Sequence, residues 1–211
     1  MRKRFCGLLA AAVGTMLLSG CASLPFGGSA PDTFDLSTPQ VQQRGGRTRQ
    51  QLLVPQPTAL KALDGTNVVI RTAPLTIQFL AAAQWNDTLT NIVQAKLIEA
   101  LENSGHFKGI GRPGDGLAID YRVLVHVREF DVATYGAPVA RVRLSVRLLN
   151  DRDGVVARES DFSASTPVTG EGNAAFIAAL DNAFQKAVVK IVDWTIASTD
   201  ASGPSGSRSS S

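Results

Sequence analysis

The 211-residue sequence predicts an α+β fold, a two-layer sandwich with a mostly antiparallel sheet and two main helices packed on one face. Three observations lead there. Long segments alternate apolar and polar residues with strand period, two others carry an apolar stripe at helical spacing, and in both kinds the apolar residues keep to one side. One-sided strands and one-sided helices bury their apolar faces by covering each other. At 44% hydrophobic and 18% charged content the chain is too apolar to be wholly disordered. It carries no strict glycine repeat or long heptad array, which excludes collagen and coiled coil.

The elements follow in chain order. Short strands are predicted at Thr33 to Leu36, Gln51 to Val54, Asn67 to Arg71 and Leu75 to Phe79, with a polar, Arg/Gln/Gly-rich loop over Gln40 to Gln51. Asn86 is positioned to cap the first helix, whose apolar stripe runs through Leu89, Ile92, Val93, Leu97, Ala100 and Leu101 until Asn103-Ser104-Gly105 ends it. Phe107 to Ile110 is another short strand. Leu117 to Phe130 alternates, with Leu117, Ile119, Tyr121, Val123, Val125 and Val127 on one face and Asp120, Arg122, His126 and Arg128 on the other. Ala140 to Leu148 repeats the pattern against Arg141, Arg143, Ser145 and Arg147, and Asn150 to Gly154 turns the chain into a third strand from Val155. Asn173 is placed to cap the second helix, striped by Phe176, Ile177, Leu180, Phe184, Val188 and Ile191.

The two ends read differently from the middle. Arg2-Lys3-Arg4 followed by the apolar run Phe5 to Leu18 has the form of a secretory signal, residues 1–20, too short to span a bilayer at about 20 residues. Leu17-Leu18-Ser19-Gly20-Cys21 resembles the lipobox of bacterial lipoproteins, in which the thiol is joined to diacylglycerol and the new amine is acylated. The alternative is an ordinary signal cut nearby, which leaves Cys21 a free or intermolecularly paired thiol. Lipidation at Cys21 implies a protein tethered to a membrane without crossing it, because two or three acyl chains hold firmly where one holds marginally. Residues 21–32 then form a lipidated terminus and flexible spacer, 33–197 one α+β domain, and 198–211 a Ser/Gly-rich disordered tail.

Charge argues against nucleic acid. The formal net charge of +3 comes from the leader: without Arg2, Lys3 and Arg4 the 21 basic residues fall to 18, equal to the 18 acidic ones. A neutral mature chain has no summed field for phosphates. Gly109-Ile110-Gly111-Arg112-Pro113-Gly114 spells a dinucleotide loop, yet Pro113 and Gly114 lead into a strand instead of the helix that such a loop must open. His106 and His126 are the only histidines and read as solvated, and no metal site, cofactor or catalytic residue is expected. The row Arg141, Arg143, Arg147 with Arg122 and Arg128 reads as a solvated strand face balanced by Glu129, Asp120, Glu159 and Asp161, or as a stripe for lipid head groups or an acidic partner.

Ala83-Gln84-Trp85, the helix from Leu89 with Leu97 and Ala100-Leu101, then Ser104-Gly105 and Phe107 give the segment Phe79 to Phe107 a likeness to a known family. It resembles the ABC-type transport auxiliary lipoproteins, which include the lipoprotein encoded with paraquat-inducible transport proteins. The order of elements from Thr33 to about Ser198 is similar as well. The resemblance implies a non-catalytic component of a lipid-transport system that links inner and outer membranes. Its implied partners are the membrane through Cys21, a mammalian-cell-entry-type periplasmic protein, an inner-membrane ABC permease complex, and further copies of itself in a homo-oligomeric ring. Ala22 after the lipidated cysteine points to the outer membrane, by likeness to enterobacterial lipoproteins. Trp85 is a candidate partner contact; the other reading puts its ring at the helix and sheet junction. A structural or assembly lipoprotein of the cell envelope shares the same anchor and spacer and stands as the alternative.

Overall fold

The computed structural model describes residues 30–43 and 46–202. The signal, Cys21, the spacer up to Ser29 and residues 203–211 lie outside the described residues. The remaining chain from Pro31 clusters as one compact unit.

Its elements are β1 (Asp32–Phe34), β2 (Gln51–Leu53), β3 (Thr58–Ala59), β4 (Asn67–Ala73), β5 (Thr76–Trp85), α1 (Leu89–Asn103), β6 (Gly109–Gly111), β7 (Tyr121–Ala133), β8 (Val139–Asn150), β9 (Val156–Pro167) and α2 (Gly172–Ser202). The α+β sandwich predicted from the one-sided patterns is the fold observed. The three long pairings, β4 with β5, β7 with β8 and β8 with β9, are antiparallel. The short strands join in parallel, an arrangement that hydropathy alone does not encode.

β7 is the spine. One edge pairs with β8 along its length. The other edge receives three strands in turn: β2 at Tyr121 and Arg122, β3 at His126 and Val127, and β4 from Asp131 to Ala133. Residues 51–73 thus behave as one interrupted strand that follows β7. Pro55 and Pro57 interrupt it because proline has no amide hydrogen for a ladder. The gap is stitched by α1: Gln94 Nε2 donates to the Val54 carbonyl (2.8 Å), a backbone group the broken ladder leaves open, and Thr90 Oγ1 donates to the Asp64 carboxylate (2.9 Å).

Alternation in β7 slips once. The register with β8 shifts between Val127 and Glu129, so Arg128 is an extra residue on the β7 side. Beyond this bulge Phe130 and Val132 turn to the core while Glu129 stays outside; without it the two-residue period would carry Glu129 inward. Phe130 meets Trp85 edge-on, centroids 5.9 Å apart, and Phe184 of α2 at 5.9 Å. Trp85 is 2% exposed. The expectation of Trp85 as a partner contact is therefore corrected: its ring fills the helix and sheet junction and offers a partner almost no surface.

The capping expectations also change. Asn86 remains in the sheet region, its amide bonded to the Phe34 carbonyl (2.9 Å), so α1 starts later with Thr88 as cap residue. Asn173 lies inside α2, and its side chain donates to the Ala81 carbonyl (2.9 Å). α2 continues to Ser202, past the tail boundary expected at 198. Thr195 and Thr199 are buried in this last part of the helix, each hydroxyl bonded to the carbonyl four residues back. At 31 residues the helix is about 46 Å long. Among the described residues no helix is long and apolar enough to cross a membrane.

Replacing Trp85 by Ala is expected to cost about 3–5 kcal/mol in a urea titration, the range of large-to-small aromatic changes in cores. A loss under about 0.5 kcal/mol, as for surface positions, contradicts the buried placement.

Candidate functional site

Helices cover one face of the β7, β8 and β9 sheet and leave the other bare. The alternation that buries Ala140, Val142, Leu144, Val146 and Leu148 points Arg141, Arg143, Ser145 and Arg147 to that bare face. Cross-strand register puts them opposite Asp131, Glu129, His126 and Leu124 on β7, and opposite Ser165, Ser163, Asp161 and Glu159 on β9.

The arginine row is charge-paired. Asp131, whose side chain is 1% exposed, accepts from Arg71 Nε at 2.8 Å and from Arg141 Nη2 at 2.7 Å and Nε at 3.1 Å. Burial by itself would lower the Arg141 pKa; the bonds to Asp131 and the charges of Asp131, Tyr135 and Glu129 outweigh it and hold the guanidinium pKa above its ordinary value. Arg143 pairs with Glu129, Arg122 with Asp151, and Arg128 Nε donates to Ser145 Oγ (2.9 Å), which in turn bonds Asp161. The reading of a balanced face describes most of the row. Asp131, which holds two arginines together, does not stand out in the sequence, although a lone carboxylate between Phe130 and Val132 is the signal that marks it.

Beside this lattice lies a shallow depression of about 360 Å³ where β3 meets β7, lined among others by Gln56, Thr58, His126, Arg128, Arg147 and Glu159. His126 Nδ1 and Thr58 Oγ1 are 2.8 Å apart. Burial, then the charges of Arg128 and Arg147, push the His126 pKa below its usual value. Among the described residues no carboxylate bonds His126 Nε2, so the hydroxyl and imidazole lack the acid that orients a triad. His106 is buried, which corrects its solvated reading, whereas His126 is half-buried on the polar face of β7 where the alternation places it. His106 Nε2 lies 3.1 Å from Asp200 and ties the end of α2 to the chain after α1.

Gly109 to Gly111 form β6, paired in parallel with β2, which removes the dinucleotide-loop reading. The described residues contain no group of three or more His, Cys, Asp or Glu able to hold a metal ion.

A family model of ABC-type transport auxiliary lipoprotein components matches residues 33–192. Uncharacterized protein bll6063 of Bradyrhizobium diazoefficiens is 30% identical over 186 residues, 85% of this chain and 49% of that protein. The chain thus spans about half the length of this curated relative. In structure, protein XCC0632 from Xanthomonas campestris aligns with a TM-score of 0.76 at 24% identity, over 81% of this chain and 98% of that one. Hypothetical protein CT253 from Chlamydia trachomatis aligns with a TM-score of 0.53 at 12% identity, over 73% and 99%. At these identities both show the fold.

Two outcomes follow from the bare face. Asp131→Ala, which strands two guanidinium groups a quarter exposed, is expected to cost about 3 kcal/mol in chemical denaturation, whereas Glu129→Ala on the rim costs under about 1 kcal/mol. Because the folded His126 pKa is lowered, the unfolded chain binds more protons, and stability falls as pH drops through the unfolded value of about 6.5. His126→Gln is expected to flatten that part of a stability profile between pH 7 and 5; an unchanged slope contradicts it.

Proposed function

The chain belongs to the family of ABC-type transport auxiliary lipoprotein components, and from that premise we propose that it is a non-catalytic, lipid-anchored component of a mammalian-cell-entry-type system moving lipids between inner and outer membranes. The observation that carries the reading is the family match over residues 33–192, immediately after a sequence with the lipobox form at Leu17 to Cys21. In this reading residues 1–20 are removed, Cys21 is acylated and held in the outer membrane facing the periplasm, and residues 22–32 link it to the domain. The domain works by binding. Its bare sheet face is an ordered array of paired charges, a surface built for specificity of contact more than for raw affinity. Anchoring supplies the rest, since confinement near one membrane raises the effective concentration of the domain for partners that reach it, and modest contacts then suffice. The partners proposed are a mammalian-cell-entry-type periplasmic protein, the inner-membrane ABC permease complex and further copies of this chain in a ring.

Cys21→Ser is expected to move the protein from the membrane fraction to the soluble fraction; persistence in the membrane removes the anchor from the account. Detergent-solubilised lipidated protein is expected to copurify with a mammalian-cell-entry-type protein or its permease in mass spectrometry. Recovery of cell-wall or assembly proteins alone moves the assignment to a structural lipoprotein of the envelope.

A further inference from the structure

At one end of the sheet two neighbouring segments carry no charge, and the loop from β9 to α2 beside them brings the exposed carboxylate Glu171. Neither Thr72 to Trp85 nor Ala133 to Ala140 contains an Asp, Glu, Lys or Arg. The fold brings these segments together: Thr134 donates to the Arg71 carbonyl from its amide (2.8 Å) and from its hydroxyl (3.1 Å), which sets the turn after β7 against the β4 and β5 hairpin. Large apolar groups stand in solvent there, Leu75 at 97% exposure, Phe79 at 50% and Ile77 at 43%, with Tyr135 at 40%. Ile77 and Phe79 face the same side as Arg71 and Val69, their register partners. The opposite end carries Arg112, Asp115, Asp120, Asp151, Arg152 and Asp153, so the domain is polarised along β7.

The hairpin end is also the end from which the chain enters the fold. β1 runs parallel to β5, with Asp32 beside Ala83 and Phe34 beside Trp85, so the residue before Asp32 approaches from the Leu75 side. Ten residues, eleven chain steps, separate Cys21 from Asp32, a reach of up to about 36–40 Å. From Ala83 back to Leu75 is at most about 27 Å, less by the extra β5 residues between Phe79 and Gln84. An acyl anchor at Cys21 therefore reaches past the hairpin tip with length to spare.

We propose that the uncharged surface formed by the hairpin around Leu75, Ile77 and Phe79 and by the turn at Tyr135 rests in the interface of the membrane that holds the anchor, with Glu171 on the headgroup side, and fixes the orientation of the domain on it. This rests on the lipid anchor at Cys21. A convex apolar tip needs no shaped pocket in a fluid interface, whereas a protein partner must supply one. Tyr135 suits the boundary, its hydroxyl 3.5 Å from Arg141 Nη1. The depth is limited by the backbone. β1 covers β5 only at Ala83 to Trp85 and Asn173 bonds the Ala81 carbonyl, so the edge from Thr76 to Leu80 stays at headgroup level, where water satisfies its amides, while the side chains reach the acyl boundary.

Lipidation consumes Cys21 and the signal removes Cys6, so Leu75→Cys introduces one reactive thiol in the mature chain. The full lipidated protein carrying a polarity-sensitive fluorophore at this position, at Phe79→Cys, or at Arg112→Cys as the opposite-end control, is placed in phosphatidylethanolamine and phosphatidylglycerol vesicles with nitroxide-bearing lipid. Quenching at positions 75 and 79 is expected to exceed that at 112 by at least about fivefold, with a blue shift only at the first two. Equal quenching at 75 and 112 in protein that floats with the vesicles overturns the orientation and leaves the anchor standing. Failure to float overturns the anchor and the proposal with it. A blue shift at 75 that grows with protein concentration and needs no vesicles overturns it in favour of a second copy of this chain on the hairpin.

Discussion

The aromatic contact of Phe130 with Trp85 and Phe184 is the interaction on which the architecture depends. It joins β5, β7 and α2 in one place, and it exists because a single extra residue at Arg128 resets the alternation of β7. A regular strand would bring Glu129 to the core and Phe130 to solvent, which combines a buried unpaired carboxylate with a lost aromatic anchor. With the bulge, Asp131 and Glu129 share the outer face with Arg141 and Arg143, and the paired lattice forms. The inner packing and the outer charge pairing are thus two results of one backbone irregularity.

Much of this is legible in the sequence where one signal dominates. Both helices and the strands β7 and β8 appear because their apolar residues recur on one side for several periods, as in Val123, Val125 and Val127 or Leu180, Phe184 and Val188, whereas β9, with Phe162 as its buried hydrophobic residue, is announced by the turn at Asn150 to Gly154. Two-residue β3 is too short for any period, and the parallel joining of β2, β3 and β4 to β7 is a tertiary choice made after two prolines break the strand. Asn86 and Asn173 have the chemistry of caps but are engaged elsewhere, by the sheet at Phe34 and by the Ala81 carbonyl. Thr195 and Thr199 hide their hydroxyls within α2, so composition ends the domain several residues early. Trp85 stands at a helix entry in either reading of its role, and only the tertiary structure places its ring in the core.

The functional picture follows from what the core leaves uncovered. Helices occupy one face, and paired charges make the other a defined but neutral surface. Charges gather at the Asp120 and Arg152 end of β7, while the hairpin at Leu75 and the turn at Tyr135 carry none, so on the proposed anchor the domain would have a preferred way up. In the proposed role that orientation matters, because docking by modest contacts works when the contacting face is presented repeatedly.

β7 organises the molecule, and the part of β5 before the irregularity near Ala82 (φ 54°) is held to it only through β4, a difference that native-state hydrogen exchange measures directly. Amides paired between β7 and β8 from Val123 to Val127 and from Val142 to Val146 are predicted to exchange only by global unfolding, and those of Thr76 to Phe79 by local opening at far lower free energy. Equal protection in the two regions, or local exchange along β7, would contradict the account.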